Sequence, residues 1–404
     1  YSTQFKELIE QLYKKFGRVV LIIDEYDKPI IDYLEKEKIP QAEANREILK
    51  TFYSILKDAS KQLRFLFITG VSKFSKVSIF SDLNHLEDLT LDENYATLTG
   101  YTQKELEFYF EDYIQSVMER HQLTRPVLLN MMREHYNGFS WDGTHTVYNP
   151  FGTLNFFKKR SFEGFWFATG TPTFLVNLMK TQAKFNYENT VTTTALLDKY
   201  DLNNLDIVAI LFQTGYLTIR KRDFLTGELL LDYPNKEIRA GMYEFMINAL
   251  IPSSEKEASS ISVKFLARAF KSNDLNQVKR IINTLFSDLP SNLYERDDKD
   301  KLKEMQLSER FFHGTIHLIF KYLGLHIDSE VWSSNGRADS VVQTGTHIYI
   351  FEFKYNRSGK AAMAQLEKNN YADKYRADGK TIMGIGVNFS YKTRKMNGWE
   401  VKKL

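Results

Sequence analysis

The stretch RADSVVQTGTHIYIFEFK, residues 337–354, decides how the last quarter of the chain folds. From 347 onward it is mostly apolar or aromatic, as in a strand buried on both faces. Yet Glu352 and Lys354 stand at its end, where an isolated buried charge is very costly. Read with the preceding strand, the two charges acquire a purpose. A two-residue turn at Thr344–Gly345 pairs Gln343 with Thr346, and hence Asp339 with Ile350. Opposed residues share a sheet face, and so do alternate residues of one strand. Asp339, Ile350, Glu352 and Lys354 then project to one side. Asp339 and Glu352 become diagonal neighbours roughly 7–8 Å apart. A three-residue loop would reverse this parity.

Two convergent carboxylates suit Mg²⁺ or Mn²⁺, with water and phosphate oxygens filling the rest of the coordination shell. Such a metal polarises a phosphate and lowers the pKa of a bound water. Lys354 is placed to orient or deprotonate that water and to offset negative charge in the transition state. The bland alternative makes Asp339 a turn residue and Glu352–Lys354 a surface pair worth little. Upstream, SERFFHGTIHLIFKYLG (308–324) reads as a helix with Ser308 as N-cap and Gly324 as stop, carrying Glu309 and His313 on one face. His313 and His317 have the spacing of a zinc pair, but no HExxH pattern or cysteine accompanies them, so packing is the favoured reading. Downstream, AAMAQLEKNNYADKY reads as a helix bearing Gln365 and Lys368, followed by the apolar strand TIMGIGVNF. The unit is therefore α-β-β-α-β.

The 404-residue chain has room for two or three domains, and its 43% hydrophobic and 26% charged residues are those of a globular protein. It has no cysteine, which excludes disulfides and thiolate zinc sites and fits a reducing cytoplasm. No apolar run reaches transmembrane length, so no membrane partner is expected. The net charge of +3 is uneven: residues 301–404 hold 17 Lys and Arg against 10 Asp and Glu, and the first 300 hold 37 against 41. A basic terminal module on an acidic body points to a polyanion.

At the other end, a helix and a turn at Gly17 lead into the buried strand VVLIID, which delivers Asp24 and Glu25. A helix over 43–62 and a second buried strand, RFLFITG, follow, an alternation that argues for a parallel α/β sheet. A strand ending in Asp-Glu has the form of a Walker B motif, with Asp24 for a nucleotide-associated metal and Glu25 for the attacking water. Thr69 and Ser72 stand where a polar sensor would lie. An acidic helix cap after a buried strand would look the same. Residues 103–133 read as helical, and the aromatic, turn-rich 135–150 as a connection. Over 203–250 a helix, a hairpin turning at 225–227 and another helix are compatible with a winged-helix-like module. Serine-rich 251–262 reads as a linker, 263–287 as a helical pair, and 294–301 as a charged loop.

The ordered set ERFFH, GRADSVV, YIFEFK, AQLEKNNYADKY and IGVNFS resembles the PD-(D/E)XK nuclease superfamily, in the branch fused to an AAA-ATPase-like domain. The resemblance implies Asp339 and Glu352 as metal ligands, Lys354 as the catalytic lysine, Glu309 as the acidic residue of the first helix and Gln365 as the polar position of the next. The run TGVSKFSKVSIFSDLNHLEDLTLDENYATLTGYTQKEL, with YNGFSWDG and YPNKEIR, resembles the accompanying ATPase-like domain. It implies Asp24, Glu25 and Thr69 as nucleotide-site residues. One departure stands out: these residues contain no G-x-x-x-x-G-K-[ST] phosphate loop. Either an upstream segment carries it, which a start at Tyr1 favours, or this half is a scaffold; ATP is expected only in the first case.

The expected organisation is an α/β protein with four parts. Residues 1–150 form an ATPase-like α/β domain lacking its Walker A part, and 151–250 a lid with the winged-helix-like region. Residues 251–300 form a linker and helical pair, and 301–404 a restriction-endonuclease-like α/β domain. The expected function is a metal-dependent nuclease acting on DNA and regulated by the ATPase-like module, with homo-oligomerisation open. The alternative is an NTP-dependent regulator or nucleic-acid-binding protein whose nuclease fold does not cut.

Overall fold

The computed structural model describes residues 2–71, 86–166, 186–197, 205–251, 259–287, 301–331, 339–390 and 395–404, with a few single positions between them. Side chains are described throughout these except at 36, 301–311 and 328–331. Ser72, the 252–258 part of the serine-rich stretch and most of the charged loop at 294–301 lie outside the described residues. Two compact units appear: Tyr1–Leu175 with Tyr187–Arg239, and Val176–Asn186 with Ala240–Leu404.

In the first unit, helix α1 (Ser2–Phe16) turns at Gly17 into strand β1 (Val19–Ile23). Helix α2 (Ile39–Asp58) returns the chain to β2 (Leu63–Ile68), which pairs parallel with β1. Both strands were expected to be buried. Instead Val20, Ile22 and Phe65 are 51%, 66% and 54% exposed. Parallel sheets are normally covered on both faces, and no described element covers the one that carries these side chains.

Helices α3 (Gln103–Tyr109), α4 (Glu111–His121), α5 (Arg125–Tyr136) and α6 (Pro150–Lys159) gather around Tyr136, Tyr148 and Phe156. A Thr102–Glu105 capping box starts α3, and the Asn149 side chain with Pro150 starts α6. The aromatic segment between α5 and α6 is drawn into this body by bridges Tyr101–Tyr148 and Phe139–Val147. Further on come α7 (Ile207–Gln213), hairpin β4 (Thr218–Arg222) and β5 (Glu228–Asp232), then α8 (Lys236–Leu250), whose residues from Ala240 onward belong to the second unit. A strand the sequence reading lacks, β3 (Thr190–Thr193), pairs with β5 and makes a three-stranded sheet.

The second unit carries α9 (Ser259–Lys271), α10 (Leu275–Ser287) and α11 (Lys301–Leu323). Helix α11 begins seven residues before Ser308, so Ser308 lies inside the helix and does not cap it; Gly324 does follow its end. A five-stranded mixed sheet has the order β10-β9-β8-β7-β6. Its strands are β6 (Asp328–Val331), β7 (Ser340–Gln343), β8 (His347–Tyr355), β9 (Thr381–Ser390) and β10 (Lys395–Lys403). The outer strands β6 and β10 add to the three expected. Between β8 and β9 runs helix α12 (Gly359–Lys368), and the two strands pair in parallel. No helix among the described residues is long and apolar enough to cross a membrane.

Candidate active site

The β7–β8 hairpin turns one residue later than expected. Thr344 N–H donates to His347 O at 2.8 Å, leaving Gly345–Thr346 as the turn, and Val341 rather than Asp339 faces Ile350. Each strand slips by one, so the pairing sum changes by two and parity survives. Continued one pair past Ser340–Phe351, the ladder brings Asp339 opposite Glu352 instead of diagonal to it. The Thr344 hydroxyl accepts the His347 N–H at 2.9 Å, which makes Thr344 the closing residue of the hairpin.

Alternation along β8 divides its two faces. Tyr349 and Phe351 meet Phe270 of α9, and Phe351 and Phe353 meet Phe320 of α11, in tilted or edge-on contacts of 5.1–5.9 Å. Ile348 and Ile350, with Val341, pack on Met363 and Leu366 of α12. Glu352 and Lys354 continue this second row. Its apolar filling ends where the charges begin.

Glu352 is 1% exposed, and Lys354 Nζ donates to its Oε1 at 2.7 Å. Its other oxygen, Oε2, is buried without a hydrogen-bond partner among the described residues. Burial first, and then the negative charge of Asp339, push the Glu352 carboxyl up to about 7, against the pull of Lys354. Asp339 Oδ2 accepts the Phe353 N–H at 2.7 Å, which stands in for a ladder bond where β7 has not yet begun. Burial raises the Asp339 pKa as well, opposed by that hydrogen bond and by the charges of His313 and Lys354. An ammonium satisfies half of a buried carboxylate here, and a second carboxylate aggravates the remainder. A cation is what the pair lacks. The orphaned Oε2 and the oxygen-only donor set fit a hard divalent ion such as Mg²⁺ or Mn²⁺.

Across the ladder, Glu352 stands beside Gly386 and Lys354 beside Asn388. A Cβ on Gly386 would lie 2.6 Å from Gly359 O and 2.8 Å from Met363 N. The bare glycine therefore lets the first turn of α12 settle onto the sheet beside the acid. Asn388, 1% exposed, accepts the Arg357 N–H at 2.8 Å and donates to Asn397 at 2.6 Å. Sequence reasoning passed over Asn388, although an amide inside the apolar run TIMGIGVNF was the available signal.

Asp339, Glu352 and Lys354 thus come together. Gln365 is half-buried on α12, and no hydrogen bond joins it to them among the described residues. Glu309 lies on α11, one turn before His313, with its side chain outside the described residues. The described residues contain no group of three or more His, Asp or Glu that could hold a metal, so His313 and His317 form no zinc cluster there.

The first unit holds a separate acidic strand end. The Thr69 hydroxyl donates to Asp24 Oδ1, and Thr69 N–H donates to Ile23 O at 2.8 Å, tying the ends of β1 and β2 together. Glu25 follows with φ +51°, a left-handed backbone that turns the chain sharply. Asp24 and Glu25 are both exposed. The fully buried Asp27, overlooked in the sequence, accepts the Val71 N–H at 3.1 Å and anchors the segment after β2.

Comparison with known proteins places both stretches of the chain in known families. Residues 1–80 match the predicted AAA-ATPase family, and residues 307–399 match the PD-(D/E)XK nuclease superfamily. An uncharacterised protein from the vnfD 5′ region of Azotobacter chroococcum mcd 1 is 36% identical over 411 residues, covering 99% of this chain and 75% of that protein. No solved structure matches the chain.

Proposed function

Because the chain belongs to the family that joins an AAA-ATPase-like domain to a PD-(D/E)XK superfamily nuclease domain, we propose that it is a metal-dependent nuclease hydrolysing the phosphodiester bonds of DNA. The observation that carries this reading is the buried Glu352, paired on one oxygen with Lys354 and bare on the other. Asp339 and Glu352 would hold Mg²⁺ or Mn²⁺, and the ion would supply Lewis-acid polarisation and a more acidic water. Lys354 orients the attacking water through its ammonium and balances charge as the phosphorus gains its fifth oxygen. Water forms the new P–O bond, the old ester oxygen leaves with the electron pair, and a proton is released. Glu309 and Gln365 support the site from α11 and α12.

In the first unit we read Asp24, Glu25 and Thr69 as the metal-side half of a nucleotide site of P-loop type. ATP binding there requires a phosphate-cradling loop in addition. The α7–hairpin–α8 segment is read as winged-helix-like, and the ATPase-like module as a regulator of cleavage. Plasmid and single-stranded DNA incubated with the full chain in Mg²⁺ or Mn²⁺ test the nuclease. Wild type should cut and Asp339→Ala should lose at least about 100-fold in rate. Equal trace cleavage by both would end the enzymatic reading.

A further inference from the structure

The helical pair α9–α10 is a basic island in an otherwise acidic stretch of chain. Residues 259–287 hold five Lys and Arg against one Asp, whereas the first 300 residues together hold 37 against 41. Along α9, Lys264, Arg268 and Lys271 recur at i, i+4 and i+7, which sets them in one row over about 10 Å of helix. Lys279 and Arg280 add two more on α10. Arg268, Lys271, Lys279 and Arg280 are exposed, and Lys264 is half-buried. Among the described residues no ion pair engages any of the five. The one acid, Asp274, is occupied at the start of α10, where its Oδ1 accepts the Gln277 N–H at 2.9 Å.

This pair is fixed to the strand that carries the acids. Phe270 of α9 meets Tyr349 and Phe351 of β8 at 5.1 and 5.9 Å. In the turn between the helices, Asn273 adopts φ +54° and its Oδ1 accepts the Tyr349 hydroxyl at 2.7 Å. Tyr349 and Phe351 alternate with Glu352 along β8, so α9 lies on the sheet face opposite to Glu352 and Lys354. The cations therefore belong to the same compact unit as the acids and stand apart from them.

A second feature of this region is short of a negative partner. Burial, and then the charges of Lys264 and Lys271, hold the His326 imidazole below its ordinary value, so both lysines crowd one spot. The buried Nε2 of His326 has no hydrogen-bond partner among the described residues. Glu244, which opposes the two lysines there, is already engaged: its oxygens accept the Tyr322 hydroxyl at 3.2 Å and the Ser260 hydroxyl at 3.3 Å. Arg268 lies over the Phe265 ring at 5.3 Å, which holds the guanidinium on the surface. A row of cations without acids of its own is complementary to a regularly spaced polyanion.

We infer that the α9–α10 face is a second nucleic-acid surface, remote from the cleavage site, that holds the sugar–phosphate backbone of duplex beyond the segment being cut. Its ligand is taken from the nuclease reading; its place, on the far side of the sheet, is independent of the acids. Contacts of this kind hold any sequence equally.

Fluorescence anisotropy of a 20-base-pair duplex with the full chain in EDTA, from 50 to 200 mM KCl, tests this. Each lost phosphate contact removes about 0.9 from the slope of log affinity against log salt. Arg268→Gln/Lys271→Gln/Lys279→Gln/Arg280→Gln should therefore lower the slope by at least about 0.9 and by up to about 3.6. The double variants Arg268→Gln/Lys271→Gln and Lys279→Gln/Arg280→Gln should divide that fall, and they serve if the fourfold variant fails to fold. Lys14→Gln/Lys57→Gln/Lys61→Gln/Lys104→Gln removes the same charge from exposed lysines of the first unit and should keep the wild-type slope. A fall of less than one contact, or an equal fall in the first-unit variant, overturns the surface. So does binding to equimolar phosphatidylserine–phosphatidylcholine vesicles that the fourfold variant loses while its duplex slope is unchanged. An unchanged slope beside Asp339-dependent cleavage sinks this surface alone. A lowered slope without Asp339-dependent cleavage sinks the nuclease reading and leaves the surface standing.

Discussion

Replacing Glu352 with Gln should stabilise the metal-free protein while abolishing cleavage. The carboxyl is carried from an ordinary 4.5 to about 7, chiefly by burial and secondly by Asp339. That shift corresponds to about 3 kcal/mol against the charged form. The sign follows from proton binding. Between pH 4.5 and about 7 the native state holds a proton that the unfolded chain has released, so stability falls as pH rises through this window. The penalty is fully present above pH 7 and absent below 4.5. Gln keeps an oxygen for Lys354 and carries no charge. At pH 8.5 and without metal, the variant should therefore exceed wild type by up to about 3 kcal/mol, or about 6–12 °C in the transition of a unit this size. At pH 4.5 the two should converge. Mn²⁺ at a hundred times its Kd should then add about 2.7 kcal/mol to wild type and much less to the variant. Differential scanning calorimetry at pH 4.5 and 8.5, in EDTA and in Mn²⁺, reads all four numbers. A variant no more stable than wild type at pH 8.5, or one protected equally by Mn²⁺, would refute the claim that a bare buried carboxylate awaits a cation.

Other expectations rest on separate contacts. Gly386→Ala places a Cβ 2.6 Å from a backbone oxygen, so the first turn of α12 must lift; a loss of about 1–3 kcal/mol in denaturant unfolding is expected, with slower cleavage. In the first unit, Glu237 is buried, with Oε1 accepting the Trp166 N–H at 2.9 Å and Oε2 unpartnered among the described residues. Burial pushes its carboxyl up to about 7. Glu237→Gln should thus raise stability by up to about 3 kcal/mol at pH 8 and leave it unchanged near pH 4, as checked by urea unfolding across pH.

Period-two alternation is local, and by itself it places Asp339, Glu352 and Lys354 on one side of the hairpin. The side-chain row is indifferent to a turn displaced by one residue on each strand, which is why an expectation built on Thr344–Gly345 still puts Asp339, Glu352 and Lys354 on one face when the turn falls at Gly345–Thr346. The apolar runs likewise located β1, β2, β8 and β9, and Gly17 and Gly324 marked two helix ends, whereas the Ser308 cap did not hold.

What came only from the tertiary structure depends on chain segments distant in sequence. The pairing of β8 with β9 put Gly386 beside Glu352 and Asn388 beside Lys354, across more than thirty residues. Burial of Glu352 and the bare Oε2 are sums over everything that surrounds them, and no short window contains that sum. Exposure of Val20 and Ile22 has the same origin: five apolar residues read as a covered strand, but only neighbouring strands and helices can cover one. Sequence alone wrote which side chains share a face; the fold decided which of their atoms lack a partner.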